Sequence, residues 1–146
     1  MVSGIQFWWK WLFGVGLLLV VFGLILAFFN QSSVMNSLVN DRINPTFWRN
    51  YEELPEGYIR FQSWIYGVLG ATLSGWGVFV MFIARYPFKA KEKWAWNCLF
   101  AGLLLWFLVD TVISVNFLVI LNVIVNIILF LLMLVPLIAS RKHFTT

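Results

Sequence analysis

This 146-residue chain is predicted to be all-α, a four-helix transmembrane bundle, on three observations. Four apolar runs are each about long enough to cross a hydrocarbon core of about 30 Å. Basic residues collect at the ends of those runs on one side. Between Trp94 and Ser140 a single charged residue, Asp110, interrupts the apolar sequence. The composition agrees: hydrophobic residues make up 62% and charged residues 11%, where a soluble domain carries charge on about 25%. The whole chain reads as one transmembrane domain, a polytopic integral membrane protein, with spans near 11–29, 63–84, 94–114 and 117–139.

The first span opens on Phe7, Trp8, Trp9 and Trp11 around Lys10, aromatic and basic residues suited to a headgroup layer. The run that follows, Leu12 to Phe29, is too long for the apolar region of a typical signal peptide. It lacks a small-x-small cleavage site, so it is read as an uncleaved span. Gly16, Gly23 and Ala27 fall near one face and suit close helix contact.

Residues 30–62 form the one long polar connection. Asn44 as an N-cap with Pro45 at the first helical position would start a short amphipathic helix ending before Pro55. Phe47, Trp48, Tyr51 and Leu54 would share its apolar face and lie along the membrane surface or over the ends of the spans. The second span carries Gly67, Gly70, Ala71, Ser74 and Gly77 at small-xxx-small spacing. That pattern marks a packing face, either within the chain or for a second copy or a partner helix.

After the basic connection Arg85–Lys93, Trp94 and Trp96 open the third span. The fourth ends at Arg141, Lys142 and His143, and its Pro136 frees a carbonyl near that end. Lys10, Arg85, Lys89, Lys91, Lys93, Arg141 and Lys142 fall on one side. Arg42, Arg49 and Arg60 fall on the other, with Asp41, Glu52, Glu53 and Glu56. The positive-inside rule then places both termini in the cytoplasm and the 30–62 connection outside.

At about 1.5 Å rise per residue, Asp110 lies roughly 25 Å along the third span from Trp94, in the outer half. Ser114 is its i+4 neighbour and Trp106 lies one turn below. A tight turn near Val115 brings Asn122 level with Asp110, and Asn126 lies one turn deeper. The expected site is an outer-leaflet polar pocket of Asp110, Ser114, Asn122, Asn126 and Trp106, with Arg60, Gln62 and Ser63 as candidates to close it. Intramembrane carboxylates mark functional positions by default. A structural alternative has Asp110 paired with Arg60 or Arg49 and hydrogen-bonded to Asn122, a clasp that fixes the hairpin.

Several classes fall away. The net charge of +4 and sequence pI near 9.5 could suggest nucleic acid, but the basic residues follow topology and form no such patch. One cysteine, Cys98, and one histidine, His143, leave no disulfide, redox pair or His-based metal site within one chain. No phosphate-binding loop, dinucleotide fingerprint or zinc-protease motif is present, and no cofactor is implied. The polar groups stop short of the inner half, so ion conduction lacks a path.

The chain resembles a group of small uncharacterised bacterial four-span membrane proteins. The likeness rests on Trp64-Ile65-Tyr66-Gly67-Val68-Leu69-Gly70-Ala71, Gly75-Trp76-Gly77-Val78, Pro87-Phe88-Lys89, Lys93-Trp94-Ala95-Trp96, Trp106-Phe107-Leu108-Val109-Asp110-Thr111 and Pro136-Leu137-Ile138. It implies a bacterial inner-membrane setting and carries no activity. A looser likeness to DoxX-type proteins and four-helix sterol isomerases rests on span count and an intramembrane acid. The leading expectation is non-enzymatic: a protein that binds a lipid-like molecule or a partner helix, with membrane lipids around it. One alternative is an enzyme on a lipophilic substrate with Asp110 as general acid or base. Another is an accessory subunit or homo-oligomer in which Asp110 makes a structural salt bridge.

Overall fold

The structure, a computed structural model, describes residues 4–48 and 54–144. Among them there is helix and no strand. The helices are α1 (Gly4–Phe29), α2 (Ser33–Met35), α3 (Asp41–Phe47), α4 (Glu56–Ile83), α5 (Lys93–Asn116) and α6 (Ile120–Ser140). A π-turn, Asn36–Asn40, joins α2 to α3, and a second, Ala84–Phe88, extends α4. Four helices, α1, α4, α5 and α6, are long and apolar enough to cross a membrane. Large apolar side chains point outward along all four, Phe28, Phe79, Leu105 and Ile138 among them, as lipid-facing helices require and soluble ones avoid.

Helix α1 starts at Gly4, seven residues before the expected span, because the Trp8–Trp11 segment is already helical. Helix α4 starts at Glu56 behind Pro55, so two polar turns that the sequence reading left in the connection belong to it. Asn44 does not start the helix expected from there to Pro55: it lies inside α3, which ends at Phe47, and residues 49–53 of that stretch lie outside the described residues. Ser32 caps α2 instead, its Oγ accepting from the Met35 N–H at 3.3 Å, and the helical path continues through the π-turn to Phe47. Asn44 is buried inside α3, and its Oδ1 accepts from Gln62 Nε2 at 2.6 Å rather than capping. Trp48 is extended; Tyr51 lies outside the described residues. The cover over the bundle is nonetheless aromatic. Phe47 meets Phe117 at the tip of the α5–α6 hairpin, and Trp48 meets Tyr58 of α4.

Helices α1 and α4 make the closest pairing. Trp9, Gly16, Gly23 and Asn30 recur every seventh residue on α1, and Ser63, Gly70, Gly77 and Ala84 do so on α4. The antiparallel register sets Gly16 against Gly77 and Gly23 against Gly70. A Cβ on Gly77 would sit 2.6 Å from the Gly16 carbonyl oxygen, and one on Gly23 would sit 2.5 Å from that of Gly70. The backbones therefore touch, as small-residue seams allow where water supplies no drive for helix association. Asn30 and Ser74 tie the seam with hydrogen bonds to the Ser63 and Val20 carbonyls.

The second pair is α5–α6, and α6 also lies against α1. The buried apolar core occupies one half of the bundle. It runs from Ile5 to Leu19 on α1, Val80 to Phe88 after α4, Ala95 to Leu103 on α5, and Met133 to Phe144 at the α6 end. This is the end carrying the Arg85–Lys93 connection. Trp9 is ringed there by Lys10, Arg85 and Lys89, the last with Nζ 5.1 Å from the ring centroid.

Pro136 shows how sequence settles packing. Lacking an N–H, it leaves the Leu132 carbonyl without its helical donor. The Trp11 indole donates to that oxygen at 2.9 Å. Trp11→Phe should cost about 1 kcal/mol, and much less when combined with Pro136→Ala, which restores a backbone donor. Thermal unfolding of the two single variants and the double variant in detergent measures this coupling.

Candidate functional site

The opposite half of the bundle, toward the 30–62 connection, is where the helices part and the polar side chains gather. Its geometry begins with the α5–α6 turn. Leu118 takes a left-handed conformation, φ 59°, at the position following a helix where glycine is commonest. The Val119 N–H donates to the Ser114 carbonyl at 2.9 Å and the Leu118 N–H to that of Val115 at 3.0 Å. This paired closure ends α5 abruptly and turns the chain back two residues later than the expected turn near Val115. Asn122 arrives level with Asp110, and Asn126 one turn further on.

Three donors converge on one oxygen. Asp110 Oδ1 accepts from Asn122 Nδ2 at 2.7 Å, Asn126 Nδ2 at 3.0 Å and Ser114 Oγ at 3.1 Å. Asn122 Nδ2 also reaches Ser114 Oγ at 2.8 Å, and Asn126 Nδ2 reaches Thr111 Oγ1 at 3.4 Å. Asn126 is 2% exposed and Ser114 is buried. The carboxylate thus holds the two helices together through one oxygen. Its other oxygen, Oδ2, and the amide oxygens of Asn122 and Asn126 have no hydrogen-bond partner among the described residues. The cluster presents acceptors.

They face a cavity of about 430 Å³ walled by all four long helices. Phe22 and Leu26 come from α1, Leu69, Thr72 and Trp76 from α4, Trp106 and Asp110 from α5, and Asn122, Asn126 and Leu129 from α6. Trp76 and Trp106 bridge the gap between α4 and α5, their ring centroids 5.4 Å apart. Gly102 and Trp76 are shared with a second hollow of about 270 Å³ that continues between α4 and α5 to Cys98 and Met133. The two hollows adjoin at Trp76 and Gly102, the polar residues Asp110, Asn122 and Asn126 lining the first and apolar residues most of the second.

Of the residues expected at the site, Asp110, Ser114, Asn122 and Asn126 form the cluster and Trp106 lines the cavity beside it. Arg60 does not join them. It is exposed on α4 and lines neither hollow. Gln62 and Ser63 are occupied by Asn44 and Asn30. No ion pair to Asp110 exists among the described residues, and Arg49 lies outside them. Among the described residues the partners of the Asp110 carboxylate are Ser114 and the two α6 asparagines, and Arg60 is not one of them. Sequence reading missed Thr111, Thr72 and Trp76 as neighbours. Thr111 stood beside Asp110 in the polar seam, whereas nothing in the sequence placed Thr72 or Trp76 opposite it.

Gly70, Ser74 and Gly77, expected as a packing face within the chain or for a second copy or partner helix, lie against α1 of the same chain. Ala71 is exposed and Gly67 half-buried.

Asp110 is the only titratable group among the described residues that line the cavity. No group of three His, Cys, Asp or Glu side chains among the described residues could hold a metal. The chain matches no protein-family model, no curated protein and no solved structure.

Proposed function

We propose that this chain is a multi-pass membrane protein that binds a lipid-like molecule within the bundle. Its basic end faces the cytoplasm, and the setting is a bacterial inner membrane. The polar end of the ligand, a hydroxyl or other hydrogen-bond donor, meets Asp110 Oδ2 and the Asn122 and Asn126 amide oxygens. Its apolar part follows the cleft between α4 and α5 past Trp76, Trp106 and Gly102. One observation carries the reading: a cavity walled by all four helices, largely apolar, with Asp110, Asn122 and Asn126 together on its wall. An apolar pocket with a few convergent polar groups is the usual form of a small-molecule site.

The acceptors select for donors, and an amphiphile whose polar end only accepts would leave them unmatched. Burial of each ligand methylene contributes about 0.8 kcal/mol relative to water, but much less relative to lipid. Selectivity therefore comes from the polar end.

A second reading has its own support. The three hydrogen bonds on Oδ1 make Asp110 a clasp of the α5–α6 hairpin, with the cavity as a packing defect. The two roles use different oxygens and are compatible, so a ligand-specific test must leave the clasp alone. Gly102→Leu does so. A Cβ at Gly102 meets nothing within 4 Å, and the longer side chain would occupy the cleft that Gly102 lines. Unchanged thermal stability with at least about tenfold weaker retention of a fluorescent fatty alcohol is the expected result. Undiminished retention counts against occupation of the cleft.

A further inference from the structure

A second, separate recess lies at the head of the α1–α4 pair, and nothing in the proposed function uses it. It measures about 450 Å³ and is lined by Gln31, Asn36, Asn40, Asp41, Asn44 and Gln62, with Leu54 and Ile59 beside them. Five amides and a carboxylate make up its polar wall, and among the described residues no lysine, arginine or histidine lines it.

Asn40 is the unusual member. It is 3% exposed, and its Nδ2 donates to the Asn30 carbonyl at 2.9 Å and to Asn36 Oδ1 at 2.6 Å. The Asn30 oxygen can only accept, which fixes the orientation of the Asn40 amide. Its Oδ1 is therefore an acceptor, and it is buried with no hydrogen-bond partner. A buried amide oxygen left unpaired is costly, and such atoms call for an explanation.

The backbone supplies a third observation. Asn36 and Asn40 are the two ends of the π-turn, closed by the Asp41 N–H donating to the Asn36 carbonyl. The wider turn shifts the side-chain register so that Asn36, Asn40, Asp41 and Asn44 all line one recess. Single π-turns within α-helical paths occur frequently at functional sites.

Other groups are already paired. Asn36 Oδ1 is taken by Asn40, and Asn44 Oδ1 by Gln62. The remaining acceptors include Asn40 Oδ1 and the Asp41 carboxylate, adjacent in sequence and both on the recess wall. One negative charge and a buried vacant acceptor, with no cation among the described lining residues, favour a ligand that is positively charged and carries N–H donors. A phosphate or carboxylate would meet Asp41 without a counter-charge.

We propose that this amide-lined recess binds a primary ammonium group. Asn40 Oδ1 and the Asp41 carboxylate each accept one of its N–H bonds. The ammonium can belong to an aminophospholipid headgroup or to a free amine. A quaternary ammonium has the charge without the N–H donors and fits poorly.

The test uses the full chain in nanodiscs of phosphatidylcholine and phosphatidylglycerol, titrated with radiolabelled ethanolamine and, separately, choline. A parallel sample contains phosphatidylethanolamine, and bound lipid is counted by native mass spectrometry. Wild type should bind ethanolamine, or retain phosphatidylethanolamine over phosphatidylcholine, with choline at least about tenfold weaker. Retention of the lipid without binding of the free amine identifies the headgroup as the source. Asn40→Leu should abolish binding, but it also removes two hydrogen bonds and can unfold the connection. Asp41→Asn is exposed and leaves those bonds in place. It should keep wild-type thermal stability while weakening binding about tenfold. Ethanolamine and choline binding alike, Asp41→Asn binding as wild type, or neither amine source binding each overturns the proposal.

Discussion

Gly70→Ala is expected to break the α1–α4 pair. A Cβ at Gly70 would lie 2.6 Å from the Ala27 amide nitrogen and closer still to the Gly23 carbonyl oxygen. Both obstacles are backbone, so no rotamer change can relieve them, and the helices must move apart. Overpacking a core typically costs about 1–3 kcal/mol and occasionally more. Here the upper end, about 3 kcal/mol, is expected, because separation weakens the whole seam. Gly23→Ala should behave alike, meeting the Gly70 carbonyl in return. Gly16→Ala should be milder, since part of what its Cβ meets is the flexible Met81 side chain. Gly14 and Gly75 are controls within the same helices. An added Cβ there meets nothing within 4 Å, and alanine is favoured over glycine in a helix by about 0.5–1 kcal/mol. Thermal unfolding in one detergent should therefore rank Gly70→Ala and Gly23→Ala lowest, with Gly14→Ala and Gly75→Ala at or above wild type. Equal stability across the set would mean that the seam is not closely packed.

The second large effect concerns Asp110, and it depends on the replacement. Asp110→Ala removes the side-chain acceptor shared by the Asn122 and Asn126 amides, while Ser114 Oγ keeps the Asp110 backbone carbonyl at 2.8 Å. Interhelical polar contacts in membrane proteins average about 0.6 kcal/mol each, so the hairpin should lose about 1.2 kcal/mol for the two and the ligand as well. Asp110→Asn keeps an oxygen where Oδ1 stands and so retains most of the clasp. It places an N–H₂ group where Oδ2 stands, turning an acceptor into a donor. Stability should fall by less than about 1 kcal/mol while binding of a donor-bearing amphiphile fails. The pair of substitutions separates the two roles of one carboxylate.

The four long helices were legible because runs of apolar residues declare themselves by length. Their ends were less so. Hydropathy is blind to Glu56–Gln62 as helix, since the polar turns of α4 are held by Asn30 and Asn44 from the preceding connection. The approach of Asp110, Ser114, Asn122 and Asn126 followed from i+4 spacing and a tight turn, both local features. The partner of the glycine stripe was half visible: Gly16 and Gly23 share the seven-residue spacing of Gly70 and Gly77, but spacing alone does not choose between one chain and two. Pro45 misled. It fits the first position of a helix, yet here it lies inside one that Ser32 had already started. The recess around Asn40 had no sequence signature, because the π-turn that forms it is a property of the folded backbone. Nor did the sequence reveal that the buried apolar cluster lies in the basic half, with a cavity beside Asp110 in the other.

The central claim is that the cavity at Asp110 holds an amphiphile by its donor end. Native mass spectrometry of wild type and Asp110→Asn, each loaded with the same long-chain alcohol in detergent, tests it most directly. The account predicts a bound species on wild type that is lost from Asp110→Asn, at closely similar thermal stability. Equal retention by both proteins would contradict it and leave Asp110 as a clasp alone.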